Sequence, residues 1–210
     1  MQILCRTISF IRIIFQKILE KIKNTGILSK NSEDYMNREE LEKNFFYRIG
    51  NIFEQPDLDV IIHQCNCFHI MGAGVAGQIK KIYPNVYKKD CEKTICGDKE
   101  KMGTNLYVKV HKDGFALKEI VNMYCQYKPG RYIDENDYKW RIKSLFLCLR
   151  DIYYRYVNSC KIVNIGVPYL VGCGISGLKE EDVIQIFKNV FENNDKNIKI
   201  IFVDFKGNLK

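Results

Sequence analysis

Ile61-Ile62-His63-Gln64-Cys65-Asn66-Cys67-Phe68-His69-Ile70-Met71-Gly72-Ala73-Gly74-Val75-Ala76 is the stretch that decides how this chain folds. An apolar, β-branched run leads into it, so Val60–Gln64 reads as a strand. A polar turn follows, then Gly72-Ala73-Gly74, then a helical period over Val75–Lys89 that is ended or bent near Pro84. Glycines let a backbone approach a phosphate closely, and the free N–H groups at a helix N-terminus favour an anion. The segment is not a dinucleotide fingerprint, because no third glycine falls in register.

Roughly a hundred residues further on the arrangement recurs in Val167-Pro168-Tyr169-Leu170-Val171-Gly172-Cys173-Gly174-Ile175-Ser176-Gly177-Leu178. It follows a short strand read over Lys161–Val167 and precedes a helix read over Glu180–Phe191. Its glycines make a second N–H-rich loop, suited to the other side of a diphosphate. Phe45–Phe53, Leu106–Val110, Ile120–Tyr124 and Ile198–Phe205 read as further strands, and Asp137–Tyr156 as a long helix. The turn Lys112-Asp113-Gly114 makes one hairpin among the crossovers. Strands alternating with helices indicate an α/β layered sheet, and in such folds ligands sit beyond the carboxyl ends of the strands, where both glycine clusters fall.

The chain has 210 residues, 46% hydrophobic and 28% charged, which excludes wholesale disorder. No apolar run approaches the roughly 18 residues that a membrane-spanning helix needs. The net charge is +8, of which residues 1–30 carry +5 and the rest of the chain only +3. The body is therefore no basic surface for direct sequence-specific nucleic-acid binding, though it suits an anionic small ligand. Ile8, Ile11, Phe15, Ile18 and Ile22 recur at helical spacing with Arg12, Lys17 and Glu20 between them, which predicts a basic amphipathic helix over residues 7–23. Such a helix suits a membrane surface, a partner protein or the chain's own body. Residues 1–43 are thus expected to be helix and linker, and 44–210 the folded domain. Nine cysteines, an odd number without a CxxC pair, read as reduced thiols of a cytoplasmic protein, with the basic helix as its route to a membrane periphery.

The two segments HQCNCFHIMGAGVAGQIKKIYP and IGVPYLVGCGISGL resemble the macro domain, an ADP-ribose-binding module. They are most similar to the branch of yeast-type ADP-ribose 1″-phosphate phosphatases, phage relatives and the terminal ADP-ribose glycohydrolase. Gly50-Asn51-Ile52-Phe53 falls where the family has Gly-Asp-Leu-Phe, and Val121-Asn122-Met123-Tyr124-Cys125-Gln126 resembles its strand ending in Asn-Leu-x-x-Gln. The likeness runs from about Phe46 to Phe205. It implies a three-layer α/β/α sandwich with a mixed sheet, and a site for ADP-ribose or an ADP-ribosylated macromolecule, without metal or cofactor.

In that frame Asn66 would hydrogen-bond the distal ribose. Met71, Gly72, Ala73, Gly74, Val75 and Ala76 would form the first phosphate loop, and Gly172, Cys173, Gly174, Ile175, Ser176 and Gly177 the second. Asn51 and Ile52 would meet the adenine, Asn51 offering its carbonyl oxygen where the family has an Asp, and Phe205 would stack on it. Gln126 stands where the terminal glycohydrolase has its adduct-forming Lys, and Ser176 where it has an Asp, so a lysine-adduct route is not expected here. His63 matches a histidine of the phosphatase-like branch and is, with Asn66, the expected catalytic residue. What the resemblance implies is binding with hydrolysis of an ADP-ribosyl derivative, or a non-catalytic reader of ADP-ribosylated targets. His63, Cys65, Cys67 and His69 alternate, but on a strand they would span about 20 Å, too far for one tetrahedral zinc ion.

Overall fold

The computed structural model describes residues 39–42, 44–191 and 197–205. The basic helix expected over residues 7–23 lies outside them. Among the described residues seven strands form one sheet: β1 Glu39–Glu42, β2 Phe45–Ile49, β3 Val60–Asn66, β4 Asn105–Lys109, β5 Glu119–Gln126, β6 Val163–Pro168 and β7 Ile198–Asp204. Their spatial order is β1-β2-β7-β6-β3-β5-β4. The five central strands are parallel, while the two edge strands, β1 and β4, run antiparallel to their neighbours. Among the described residues the α-helices are α1 Gly74–Ile82, α2 Pro84–Lys93, α3 Glu135–Tyr156 and α4 Glu180–Phe191.

The central strands are buried on both faces, which is why they read as near-continuous apolar runs. Val60 and Ile62 of β3, Val121 and Met123 of β5, and Ile198 and Ile200 of β7 pack with Leu145, Leu149 and Ile152 of α3 and Val183 and Phe187 of α4. The alternate residues Ile61, Ile120, Ile201 and Val203 turn to the other face, against Ile79 of α1 and Val86 of α2. Each such fully buried side chain contributes roughly 1.5–3 kcal/mol relative to exposure. This is the expected three-layer α/β/α sandwich with a mixed sheet.

The helical period over Val75–Lys89 ends at Pro84 as expected and resumes as a second helix, because Pro84 lacks the N–H that would continue α1 and instead opens α2 at its first turn. The strand read over Phe45–Phe53 ends at Ile49, and Ile52–Glu54 form a short 3₁₀ turn instead. Glu39–Glu42, assigned above to the linker, pairs with β2 as an edge strand. Its run of charge hides the strand from a hydrophobicity pattern and suits an exposed sheet edge.

Candidate functional site

Because β2, β3, β5, β6 and β7 are parallel, their carboxyl ends share one edge of the sheet. The segments leaving that edge carry Asn51, the first glycine loop, the turn after Gln126, the second glycine loop and Phe205. The topology therefore gathers every expected site residue but His63 at one edge.

The first loop is built on a bulge. Cys65 pairs with Tyr124 but Asn66 pairs with Gln126, so Cys125 is an extra residue and the ends of β3 and β5 are re-aimed together. Asn66 is buried, and its Oδ1 accepts from the N–H groups of Phe68 (2.9 Å) and Ile70 (3.2 Å) while its Nδ2 donates to the Ile70 carbonyl at 2.7 Å. The side chain that was expected to read a ribose thus also ties the turn, with one amide N–H left over. Met71 is buried with Cys65, Cys67 and Tyr124 and pegs the loop down. Gly77 lets α1 pass close to the loop, since a Cβ there would lie 3.2 Å from the carbonyl carbon of Gly72. Val75 and Ala76 are half-buried along the same helix. Ala73, at the N-cap, has no side-chain oxygen, so the first N–H groups of α1 have no side-chain cap and remain open to an anion.

A buried polar cluster lies beneath this loop. Tyr124 Oη donates to Asp90 Oδ1 (2.5 Å), and Lys101 Nζ donates to the Cys67 carbonyl (3.2 Å) while standing 3.8 Å from Asp90. His69, held at a φ of 57°, bonds Thr94 Oγ1 at 2.7 Å. None of these partners is visible in the sequence as a set. His63 and His69 go to different partners, and among the described residues no group of three or more His, Cys, Asp or Glu could hold a metal ion.

The second loop hangs on Ser176. Its buried hydroxyl accepts from Gln64 Nε2 at 3.1 Å and from Arg141 Nη1 at 3.0 Å. Arg141, itself buried, also donates to the Gly130 carbonyl (2.7 Å) and grips Asp137 through two bonds. Ser176 therefore faces the interior and positions the loop that carries it. Gly172 is required, at a φ of +80° and with Gln64 Oε1 only 2.9 Å from where its Cβ would sit. Cys173 is half-buried, its thiol pushed up to about 12 by burial, and Ile175 is exposed.

One part of the electrostatic expectation changes. The helix after the second loop starts with Glu180, Glu181 and Asp182. These carboxylates answer the dipole of α4 from within, so of the two helices that follow the glycine loops only α1 begins without acidic residues.

At the other end of the edge, Ile52 is buried beside Phe53 and its side chain belongs to the core, while Phe205 is 45% exposed. Gln126 is half-buried at the end of β5, across from Asn66. His63 corrects the sequence reading. It is 1% exposed, within β3, with Nε2 2.7 Å from Asn122 Oδ1 and Cys65 Sγ at 3.5 Å. A ring enclosed this way cannot touch a ligand at the edge, and the two residues it pairs, His63 and Asn122, are register partners of β3 and β5.

Burial holds His63 down at about 4 from its ordinary 6.5, against the smaller upward pull of Asn122. Between those values the unfolded chain takes up a proton that the folded chain refuses. Stability is therefore fully present above pH 6.5 and falls on acidification towards pH 4, by on the order of 3 kcal/mol. His69, lowered by its partial burial, adds the same sign. Urea midpoints measured across that range should fall steeply in the wild type and clearly less in His63→Gln. Equal slopes in the two proteins would free His63 from this assignment.

With the geometry in place, comparison with known proteins gives the class. The family model for the Macro domain matches residues 62–187. The chain is 30% identical over 147 residues, 70% of its length and 86% of the other's, to an uncharacterized 17.5 kDa protein of the tk-vs intergenic region of Enterobacteria phage T4. The chain belongs to the macro domain family. A stretch of 47 residues is 40% identical to an ADP-ribose 1″-phosphate phosphatase of Aspergillus oryzae, covering 21% of this chain and 23% of that one. Among solved structures, Thermosipho africanus DarTG in complex with ADP-ribose superposes with a TM-score of 0.59 at 15% identity, covering 83% of this chain and 45% of that one. At that identity the likeness is one of fold.

Proposed function

We propose that the carboxyl edge binds ADP-ribose and that the chain hydrolyses an ADP-ribosyl derivative, either an ADP-ribosylated protein or nucleic acid or ADP-ribose 1″-phosphate. The observation that carries this reading is the pair of glycine loops. A Cβ at Gly72, Gly74 or Gly174 would meet no heavy atom within 4 Å, so these backbones border open space. Uncapped N–H groups of α1 stand at the same place. Together they suit a diphosphate, with Asn66 offering its remaining amide N–H to a ribose hydroxyl.

In this reading the chain supplies position rather than a nucleophile. Gln126 is no amine, Ser176 is turned to Arg141, and His63 is enclosed. A water held against the anomeric carbon by the bound pyrophosphate itself, with Asn66 fixing the ribose through its remaining N–H, is the remaining route, and positioning alone removes several kcal/mol from a barrier. The same burial of His63 favours the second reading, a non-catalytic reader.

Calorimetric titration with ADP-ribose tests binding, and assays on mono-ADP-ribosylated protein, ADP-ribosylated DNA and ADP-ribose 1″-phosphate test turnover. The expected result is saturable binding with turnover of one substrate. Binding without turnover of any would replace the hydrolase by the reader, and no binding would leave only the fold.

A further inference from the structure

Large apolar side chains scattered singly over a surface need no explanation, but several gathered on one edge do. Three isoleucines stand exposed on the segments that leave the carboxyl edge: Ile70 after β3 (52%), Ile133 after β5 (86%) and Ile175 after β6 (66%). None of them belongs to a core cluster, and N–H groups that hold a diphosphate make no use of their side chains.

The turn after β5 brings two of them together. The Arg131 side chain lies on Gly177, where an added Cβ would stand 2.8 Å from Arg131 Cγ, and Tyr132 N donates to the Ser176 carbonyl at 3.3 Å. Residues 131 and 132 thus run against 177 and 176, and the same order sets Ile133 beside Ile175. The near end of the turn is fastened to the segment that carries Ile70, since Cys67 N donates to the Tyr127 carbonyl at 3.0 Å. From below, Arg141 holds the Gly130 carbonyl at 2.7 Å. The isoleucines therefore flank the two glycine loops on a support that is already ordered, which lowers the cost of binding.

This surface begins directly after Gln126, the register partner of Asn66, so it lies on the ribose side of the proposed site. What reaches it is the group to which the distal ribose is joined. A phosphodiester strand calls for an excess of cations. Residues 127–141 and 176–182 carry five basic side chains against six acidic ones, and Lys139 and Arg141 are already paired with Glu135 and Asp137. The charge thus disfavours a nucleic acid, while the exposed isoleucines favour an apolar contact. We infer that Ile133, with Ile70 and Ile175, forms a docking surface for the polypeptide of an ADP-ribosylated protein, taking up an apolar side chain next to the modified residue. The inference rests on the ADP-ribose reading above.

The test titrates the full chain and Ile133→Ser with four ligands. These are ADP-ribose, a peptide carrying ADP-ribose through a non-hydrolysable bond between two leucines, the same peptide with serines in their place, and a single-stranded oligonucleotide modified in the same way. The wild type is expected to bind the leucine peptide about tenfold more tightly than the serine peptide, as burial of an apolar side chain gives. Ile133→Ser should lose that preference and keep the wild-type affinity for ADP-ribose, and Ile133→Leu should restore the preference. A preference retained in Ile133→Ser, or an equal weakening of all four ligands there, overturns the assignment. A wild type that binds the oligonucleotide more tightly than the leucine peptide overturns it in favour of a nucleic acid. Equal binding of the two peptides overturns it too, and leaves the ADP-ribose reading standing wherever ADP-ribose itself binds. A wild type that does not bind ADP-ribose removes that reading and this one with it.

Discussion

Gly74→Glu should abolish ADP-ribose binding, by more than about a hundredfold, while the protein stays folded. Gly74 opens α1 at a φ of +56°, and an added Cβ there would meet nothing within 4 Å. The left-handed backbone costs a substituted residue about 1 kcal/mol, which the domain tolerates. A glutamate at this place would project its carboxylate into the space bordered by the uncapped N–H groups, where a diphosphate is proposed to sit. Like charges then meet in the one position built for an anion. Gly74→Ala is the control, because it carries the same backbone strain without charge or reach. Titration should find Gly74→Ala within a few-fold of wild type and Gly74→Glu without measurable binding. Normal affinity in Gly74→Glu would place the diphosphate elsewhere.

The effect of such a substitution is legible in the sequence because local chemistry dictates it. The order of strand, glycine turn and helix appears in residues 61–76 before any coordinates, and the same holds for residues 167–178. The near-continuous apolar runs of β3, β5 and β7 likewise mark strands covered on both faces. What stayed hidden are interactions between residues far apart in the chain that carry no periodic signal. Arg141 reads as an ordinary i,i+4 partner of Asp137 on an exposed helix face, yet it is buried, and only the packing of α3 under the second loop makes it so. Asp90, Lys101 and Tyr124 lie in three separate elements and meet only in the fold. His63 shows the converse: the resemblance offered it as a site residue, while its place within β3 and the facing Asn122 put its ring inside the sheet's packing.

The largest loss of stability is expected at Arg141. Its guanidinium donates to both oxygens of Asp137, at 3.1 and 2.9 Å, to the Gly130 carbonyl at 2.7 Å and to Ser176 Oγ at 3.0 Å. It thereby joins the turn after β5 to the second glycine loop, and Gln64 from β3 meets the same hydroxyl. Arg141→Met keeps much of the volume but leaves Asp137 without its cation and the Gly130 carbonyl without this donor. Breaking a buried pair by removing one partner costs about 3–5 kcal/mol, more than deleting both. The urea midpoint of Arg141→Met should fall accordingly, and Arg141→Met combined with Asp137→Leu should recover part of the loss, a coupling that a double-mutant cycle reads directly. Amide exchange should quicken at residues 170–178 before it does in β3 or β7, because the loop is tethered by this contact and the strands are not. If ADP-ribose affinity then drops in the single variant under conditions where it remains folded, the second loop is part of the binding surface. A single variant as stable as wild type would show that the buried arginine is replaceable by packing alone, and the tether between the two loops would have to be sought in Gln64.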